Sequence, residues 1–367
     1  MRKLNIIFTA LLLCFFISCK KENNPQPNPT PTPVPAASLY FPPIGGSTWE
    51  ATTPSSLAWN ESELNNLYTY LQQKNTKAFI ILKNGKIVVE RYFGTFTIDS
   101  NWYWASAGKT MTAFLTGIAQ QEGLLNINNK TSQYLGAGWT SLPAAKENLI
   151  TVRHQLTMTT GLDDGVADDE CTLPSCLQFK ADAGTRWAYH NAPYTIMDKV
   201  VEAASGATYN NYFQQKIRDR IGMTGLWIRS GYNNIYYSTP RSMARFGLLL
   251  LNKGKWEATS ILSDTTYFNN QINTSQTLNP SYGYLTWLNG KSNYMLPGLQ
   301  VSFSGALAPN APTDMYAALG KNDQKIYVVP SQKLVVIRMG ESAGNVQLAV
   351  SSFDNELWGK LKTIINY

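Results

Sequence analysis

Hydrophobic residues along this chain follow a helical period in some stretches and alternate in others. After Asn60, a typical helix N-cap residue, Leu64, Leu67, Tyr68 and Leu71 fall on one helical face. This spacing predicts an amphipathic helix that begins close to Asn60 and packs its apolar side on a core.

Two pairs of apolar runs predict β-hairpins close to the two ends of the chain. The first reads AFIILKNGKIVVERYF and turns at Asn84-Gly85, the dipeptide that two-residue hairpins favour. The second reads KIYVVPSQKLVVIRMG, over residues 325–340. Both hairpins are rich in β-branched residues, which pack well on a pleated surface.

Helical patterns occupy most of the chain between and beyond these hairpins. They cover residues 106–121, much of 125–225, 242–254 and 345–365. Gly123 can end the first of these helices. The pattern predicts an α/β (α+β) fold, with an antiparallel sheet flanked by helices and a mostly helical second lobe. We expect the active site in the cleft between the two lobes.

Composition excludes several classes of protein. The chain has 367 residues, of which 44% are hydrophobic and 15% are charged, so it can bury a large core. Its net charge is +7, but the basic residues are scattered and form no cluster with interleaved aromatics, so we expect no nucleic-acid partner. With only two histidines we expect no metal site, and no cofactor is implied.

The first residues indicate export. Arg2 and Lys3 precede a short apolar stretch that ends in FISCKK. This arrangement resembles a bacterial lipoprotein signal over residues 1–19, with Cys19 as the lipidated first residue of the mature chain. The alternative is an ordinary secretory signal with a chance cysteine. Lipidation would hold the protein on a membrane surface of the bacterial cell envelope.

A proline-rich segment follows the signal. Residues 20–44 predict an extended linker, and residues 45–367 are expected to form the globular domain. Within that domain, Cys171 and Cys176 lie close together in a proline-containing loop. In an exported protein this spacing predicts a disulfide.

Ser106 and Lys109 are the first candidates for chemistry. If Ser106 lies in the first turn of its helix, Lys109 at i+3 lies beside it on the same face. The helix N-terminus offers free N–H groups to a developing oxyanion. Burial among apolar neighbours lowers a lysine pKa, so that the neutral amine can act as a base. Ser-x-x-Lys alone is a weak pattern, because it recurs at Ser18 and Lys21.

A second pattern, Tyr189-x-Asn191, lies in the segment GTRWAYHNAPY. A phenol beside a buried lysine can pass a proton to and from the serine, and an asparagine can orient the lysine or bind substrate. The pattern recurs at Tyr209 and at Tyr232, which we interpret as part of a helix and as a surface turn.

Together these segments resemble the penicillin-recognising serine hydrolases over about residues 60–365. The closest branch holds class C β-lactamases, serine DD-peptidases, family VIII esterases and 6-aminohexanoate-dimer hydrolase. The resemblance is carried by WASAGKTMTAFL, ITVRHQLTMTTGL, AGTRWAYHNAPYTIMDKVVEAASG, TPRSMARFGLLLLNKGKW, SYGYLTWLNG and MYAALGKNDQKIYVVPSQKLVVIRMG. It implies a β-lactamase/transpeptidase-like fold, with Ser106 acylated, Lys109 and Tyr189 as its base pair, and Asn191 in the substrate site.

The family's third motif, Lys-Thr-Gly or His-x-Gly, falls on Ala318-Leu319-Gly320. The resemblance then implies an oxyanion hole made by the N–H groups of Ser106 and Lys321. Ala318 supplies no cation for a substrate carboxylate, so we expect esterase or amidase chemistry on a small molecule. Arg338 and Lys321 remain candidates for such a cation.

Two alternatives to this function stay open. One is a DD-carboxypeptidase acting on cell-wall peptides, or a weak β-lactamase. The other is a catalytically idle binding protein of the same fold. We find no acidic residue that can be placed as a deacylation base.

Other polar and aromatic residues are given structural roles. His154 is expected to pack and hydrogen-bond, and His190 to point away from the site, with substrate contact as its alternative. An acidic group is expected to form a solvated loop: Asp163, Asp164, Asp168 and Asp169. Three aromatic residues either line the cleft or fill the sheet: Tyr282, Tyr284 and Trp287.

Overall fold

The computed structural model describes residues 38–365 and residue 367. The predicted signal with Cys19 and the linker up to residue 37 lie outside the described residues. Within the described part, no helix is both long and apolar enough to cross a membrane.

The secondary structure follows the predicted order with additional short elements. In the described residues the α-helices are α1 (Leu64–Gln73), α2 (Gly108–Gln121), α3 (Ser132–Leu135), α4 (Ala144–Glu147), α5 (Val152–Leu156), α6 (Asn191–Thr195), α7 (Met197–Ser205), α8 (Tyr209–Phe213), α9 (Pro240–Leu251), α10 (Thr265–Gln271) and α11 (Ser352–Ile365). The strands are β1 (Thr76–Lys83), β2 (Lys86–Tyr92), β3 (Trp102–Tyr103), β4 (Leu226–Ser230), β5 (Asn233–Ser238), β6 (Lys255–Trp256), β7 (Thr259–Ser260), β8 (Trp287–Leu288), β9 (Asn293–Met295), β10 (Ser302–Ser304), β11 (Tyr316–Gly320), β12 (Gln324–Val329) and β13 (Leu334–Gly340).

The central sheet has six antiparallel strands in the order β2-β1-β13-β12-β11-β8. Both predicted hairpins are present, and β1 pairs directly with β13, so the two ends of the chain meet in one sheet. Asn84 and Gly85 both have positive φ, 52° and 81°, as the predicted two-residue turn requires. The predicted fold class is therefore confirmed.

Helices cover both faces of this sheet. On one face, α9 approaches so closely that a Cβ at Gly247 would lie 2.5 Å from Val335 Cγ1. On the other face, Tyr327 of β12 donates a hydrogen bond of 2.6 Å to Asp354 of α11. Because side chains alternate along a strand, neighbouring residues of β12 serve the two different layers.

Residues 38–44 belong to the globular domain and not to the linker that the sequence predicted. The Tyr40 N–H donates to the Asn84 carbonyl at 2.9 Å, and Phe41 packs edge-on against Trp256. Arg245 also donates to the Pro43 carbonyl at 2.8 Å. Proline content indicated an extended backbone here, but an extended segment can still dock on a folded body.

The second lobe combines short helices with a small sheet that the sequence did not predict. It has its own apolar cluster, which includes Trp139, Ile150 and Leu162. The small sheet has three strands in the order β3-β5-β4. Its strand β3 ends three residues before Ser106, the candidate nucleophile. The predicted surface turn at Tyr232 is the tight connection between β4 and β5.

Candidate active site

Ser106 lies where an irregular backbone turns into a long helix. Residues Ala105–Ala107 form one 3₁₀ turn that continues into α2 at Gly108. Ala105 has a φ of +45°, which is unfavourable for a residue with a Cβ atom. Trp104 holds this turn in place, because its N–H donates to Tyr236 and its indole donates to Ser238 at 2.8 Å. Strain held by such packing is typical of functional sites.

Lys109 lies one helical turn beyond Ser106, as the spacing predicted. Its Nζ is 3.1 Å from Ser106 Oγ and 2.9 Å from Asn191 Oδ1. Only 4% of the residue is exposed. The structure therefore brings Ser106, Lys109 and Asn191 into one hydrogen-bonded group, with each residue on a different turn or helix.

The surroundings of Lys109 favour loss of its proton. No carboxylate of the described residues lies within 4.0 Å of its Nζ, which instead sits 3.9 Å from the ring centroid of Tyr194. Burial lowers the pKa of Lys109 to about 7, against a smaller raising effect of Glu170 and Asp169. A substantial fraction of this amine is neutral at physiological pH and can accept a proton.

Tyr189 completes the group but stays protonated. Its ring stacks on Trp287 with centroids 5.7 Å apart and meets Tyr282 edge-on at 6.2 Å. The hydroxyl is buried close to that of Ser106, without a hydrogen bond of good geometry to any described residue. Burial raises the pKa of Tyr189 well above its usual value, although the Ser106 hydroxyl acts in the opposite direction. The phenol is thus a proton donor at neutral pH, and Lys109 is the better base.

The segment Ala318-Leu319-Gly320, where the family's third motif falls, lies against Ser106 at Gly320, the last residue of β11. A Cβ there would lie 2.5 Å from the Trp104 carbonyl oxygen and 3.1 Å from the Ser106 nitrogen. Only glycine permits this approach, which brings the backbone that leads into Lys321 beside Ser106. This placement is consistent with the oxyanion hole that the family resemblance implies.

The structure does not bring Ala318 to the cavity. Ala318 is buried on β11 opposite Ile326 and is absent from the residues that line the site. Arg338 is also unavailable, because its guanidinium is fully buried and donates to the carbonyls of Asn322 and Asp323. Of the two candidate cations, only Lys321 reaches the cavity wall.

A cavity of about 750 Å³ opens in front of Ser106. Its lining comes from seven separate stretches of the chain: Tyr103, Ala105, Ser106, Lys109; Asp164, Asp169, Glu170; Tyr189, Asn191, Tyr194; Asn233, Asn234, Ile235, Tyr237; Pro297, Gly298; Lys321, Asn322; and Gln347, Leu348, Ala349. Three carboxylates therefore face two lysines, one of which has a strongly lowered pKa.

The acidic loop is a wall of the site, and its prediction as a purely solvated loop was wrong for Asp164 and Asp169. Asp164 accepts a hydrogen bond from Arg186 at 2.6 Å. Burial and the neighbouring acids Glu170 and Asp168 raise the pKa of Asp169. Charge runs are usually solvated, and nothing in the local pattern shows that this one folds back over Lys109.

Sequence reasoning also missed Tyr194 and strand β5. Tyr194 lies three residues after Asn191 on α6, the same i+3 relation that links Ser106 to Lys109, and this spacing was an available signal. On β5, the residues that line the cavity are Asn233, Asn234, Ile235 and Tyr237.

The three aromatic residues left open by the sequence fill the interior. Tyr282, Tyr284 and Trp287 are each at most 2% exposed and none lines the cavity. Tyr282 and Trp287 pack on the ring of Tyr189, so they set the position of that phenol.

Neither histidine lines the cavity, and neither do the two cysteines of the described residues. His154 completes a capping box with Thr151 at the start of α5, which is the structural role expected for it. His190 is buried, does not line the cavity, and has a pKa lowered to about 4 by burial. Cys171 and Cys176 form a disulfide. Among the described residues, no group of three or more His, Cys, Asp or Glu side chains is placed to hold a metal ion.

Comparison with known proteins identifies the family. The family profile described as Beta-lactamase matches residues 69–355. The chain therefore belongs to the beta-lactamase family, whose members are generally serine hydrolases, and the suspected resemblance is confirmed.

Individual relatives are distant. "Uncharacterized protein BpOF4_21049" of Alkalihalophilus pseudofirmus is 23% identical over 72% of this chain and 83% of its own length. A solved structure named "Putative 6-aminohexanoate-dimer hydrolase from Bacillus anthracis" has a TM-score of 0.65 at 17% identity, covering 89% of each chain. A penicillin-binding protein homologue from Caulobacter crescentus has a TM-score of 0.61 at 12% identity, covering 82% of this chain and 96% of its own. These structures share the fold.

Proposed function

We propose that this protein is a serine hydrolase that forms an acyl-enzyme at Ser106 and acts on neutral esters or amides. The observation that carries the proposal is the 3.1 Å contact between Ser106 Oγ and the Nζ of Lys109, a buried lysine with no carboxylate in contact. A carboxylate partner would stabilise the charged form of a structural lysine. A lysine that acts as a base needs a lowered pKa, which the absence of such a partner favours.

The reaction divides between the two titratable groups. Neutral Lys109 takes the proton of the Ser106 hydroxyl while Oγ attacks the substrate carbonyl. The N–H groups of Ser106 and Lys321 stabilise the oxyanion, which collapses with release of the leaving group. Tyr189 donates the proton that the leaving group needs and is reprotonated through Lys109. A water molecule then attacks the ester of Ser106, which returns the acid product and the free serine.

The charge of the cavity supports neutral substrates. Asp164, Asp169 and Glu170 line the wall, and they would repel a substrate carboxylate held close to Ser106. Ala318 does not line the cavity, so its lack of charge has no bearing on this preference. It supports short esters or amides over acidic β-lactams and cell-wall peptides.

One observation favours the alternative of a DD-carboxypeptidase or weak β-lactamase. Lys321 lies in the cavity wall directly after Gly320 and supplies a cation close to the nucleophile. A substrate carboxylate that reached Lys321 without passing the acidic loop would be recognised there.

A covalent probe tests the nucleophile. We expect a fluorophosphonate to label the purified protein at Ser106, and peptide mass spectrometry to locate the label. Ser106→Ala should abolish labelling, and Lys109→Ala should slow it strongly. Label that persists in Ser106→Ala contradicts the assignment of the nucleophile, and a folded wild type that never labels supports an idle binding protein.

Competing substrates test the chemical class. We expect p-nitrophenyl butyrate to be turned over with a higher kcat/KM than nitrocefin or a D-Ala-D-Ala peptide. Lys321→Gln should leave the ester rate nearly unchanged. If D-Ala is released efficiently, esters are barely hydrolysed and Lys321→Gln removes the peptide activity, the alternative is correct.

We also propose that Cys19 carries a lipid that anchors the protein in a bacterial cell envelope. The support is the sequence alone, FISCKK followed by a proline-rich segment. In a lipoprotein-processing bacterium, labelled fatty acid should enter the wild-type chain but not Cys19→Ser. A wild-type chain that takes up no label would indicate a plain secretory signal.

A further inference from the structure

One side of the active-site cavity consists of chain that has no helix or strand of its own. Residues 343–351, which we call the strap, connect β13 to α11. Gln347, Leu348 and Ala349 of the strap line the cavity together with Lys321 and Asn322. The strap cannot hold its position through a hydrogen-bond ladder, so its attachment to the domain decides the shape of this wall.

The Asp323 carboxylate holds both ends of the strap, and Asp354 adds a second bond at one end by accepting the Ser351 N–H at 2.9 Å. Asp323 Oδ2 accepts the Ala343 N–H at 3.0 Å, and Asp323 Oδ1 accepts the Ser351 hydroxyl at 2.6 Å. Asp323 is 1% exposed and belongs to the turn that directly follows Lys321. The same side chain therefore ties the strap to the segment that faces the nucleophile.

A buried lysine keeps this carboxylate charged and adds a third attachment. Lys325 Nζ lies 3.2 Å from Asp323 and 3.0 Å from Asp354, and it donates to the Ala349 carbonyl at 2.8 Å. Burial would raise the pKa of Asp323, but Lys325, Ser351 and Ala343 together hold it below its usual value. An ionised Asp323 accepts both strap bonds at full strength.

The turn at residues 321–323 is held in place by Arg338. Asn322 and Asp323 both have positive φ, 57° and 58°, which side chains rarely adopt. Arg338 donates to the carbonyls of both residues, at 2.9 Å and 3.0 Å. This conformation aims the Asp323 carboxylate at the strap while Lys321 and Asn322 face the cavity.

We propose that Asp323 is a positioning residue that clamps the strap and thereby sets which substrates the cavity accepts. Its carboxylate contacts Ala343, Ser351 and Lys325, none of which lines the cavity, so it acts through the strap residues that do. Its effect on turnover rests on the proposed hydrolase function, whereas its effect on the strap does not.

Two hydroxyl deletions in the same buried cluster provide a matched test. Ser351→Ala removes a 2.6 Å hydrogen bond to Asp323 at one end of the strap. Tyr327→Phe removes a 2.6 Å hydrogen bond to the other carboxylate of the cluster, Asp354, and leaves both bonds from the strap to Asp323 in place. Each variant deletes one hydroxyl and leaves the charges in place, so their general effects on stability should be similar.

Hydrogen–deuterium exchange of the full chain is the first readout. We expect Ser351→Ala to accelerate exchange of the amides in residues 343–350 about tenfold, which is the effect of losing one hydrogen bond to a charged group. Tyr327→Phe should change the same amides less than about twofold. Equal acceleration in both variants, or acceleration spread evenly over the domain, would overturn the proposal.

Substrate length is the second readout. In Ser351→Ala we expect KM for p-nitrophenyl octanoate to rise about fivefold while kcat/KM for p-nitrophenyl acetate stays within about twofold. An equal loss of kcat/KM for both esters would overturn the role of Asp323 in substrate selection. If the wild type hydrolyses neither ester, the hydrolase proposal fails, and the exchange measurement alone decides whether Asp323 clamps the strap. Asp323→Asn should exceed Ser351→Ala in both readouts if it folds.

Discussion

Two buried lysines on opposite sides of the central sheet have opposite surroundings. Lys109 contacts a serine, an asparagine and the face of Tyr194, all of them neutral. Lys325 contacts the carboxylates of Asp323 and Asp354 and is completely buried.

The difference teaches that burial alone does not decide what a lysine does. A buried ammonium without a counter-charge is costly, and its proton leaves readily. A buried ammonium between two carboxylates repays part of that cost and binds separate segments together. The first arrangement suits a base, and the second suits a structural anchor.

Replacing each lysine by methionine gives the largest expected contrast. Lys109→Met should lower kcat/KM by about 10³-fold, because general-base catalysis is lost. The same change should raise the free energy of unfolding by about 1–3 kcal/mol, because an uncompensated buried amine is removed. Ester hydrolysis and urea denaturation measure the two effects. Unchanged activity would remove Lys109 from the mechanism.

Lys325→Met should lower the stability of the protein and preserve the reactivity of Ser106. It leaves Asp323 and Asp354 buried without their shared cation, so we expect a loss of about 3–5 kcal/mol in the free energy of unfolding. Below the new melting transition, labelling of Ser106 by a fluorophosphonate should persist. Adding Asp354→Asn should recover part of the stability. A single variant as stable as the wild type would show that this cluster does not anchor the fold.

Tyr189→Phe should have a smaller effect that depends on the leaving group. Because the phenol donates a proton, we expect kcat to fall about 10²-fold for an anilide and much less for a p-nitrophenyl ester, which leaves without protonation. Stability should be unchanged or slightly higher, since the hydroxyl has no hydrogen bond of good geometry to any described residue. Equal losses on both substrates would argue against the donor role.

The pH dependence gives the smallest effect. Activity should rise as pH increases through about 7, because Lys109, whose pKa burial lowers to about 7, becomes neutral there. Asp169 and Glu170 raise that pKa, so the double change Asp169→Asn, Glu170→Gln should move the rise to lower pH by roughly half a unit. Asp168→Asn, on the same loop, is the control and should leave the pH at which activity rises unchanged. A shift to higher pH would contradict the assignment of the base.

Much of the fold could be predicted because its signals are local. The Asn84-Gly85 turn, the alternation in β12 and β13, and the helical period of α2 each depend on residues within a few positions of one another. The strand β3 escaped prediction because it has only two residues, and its pairing with β5 joins segments more than 130 residues apart along the chain.

Part of the site was predictable for the same reason. Ser106 and Lys109 are neighbours on one helix, so their spacing implied their contact. Tyr189 and Asn191 required a resemblance between several ordered segments. The acidic loop carried no comparable signal, since its relation to Lys109 arises only after distant segments pack together.

The sequence by itself determined the local elements, the spacing that places Lys109 beside Ser106, and membership of the beta-lactamase family. Tertiary structure decided that Lys109 has no carboxylate of the described residues in contact while Lys325 is shared between two, because Asn191 lies 82 residues from Lys109 and Asp354 lies 29 residues from Lys325 along the chain. It also decided that Ala318 lies behind the cavity wall and that the strap lies in it. Charge compensation and cavity shape depend on distances through space, and a one-dimensional pattern does not contain those distances.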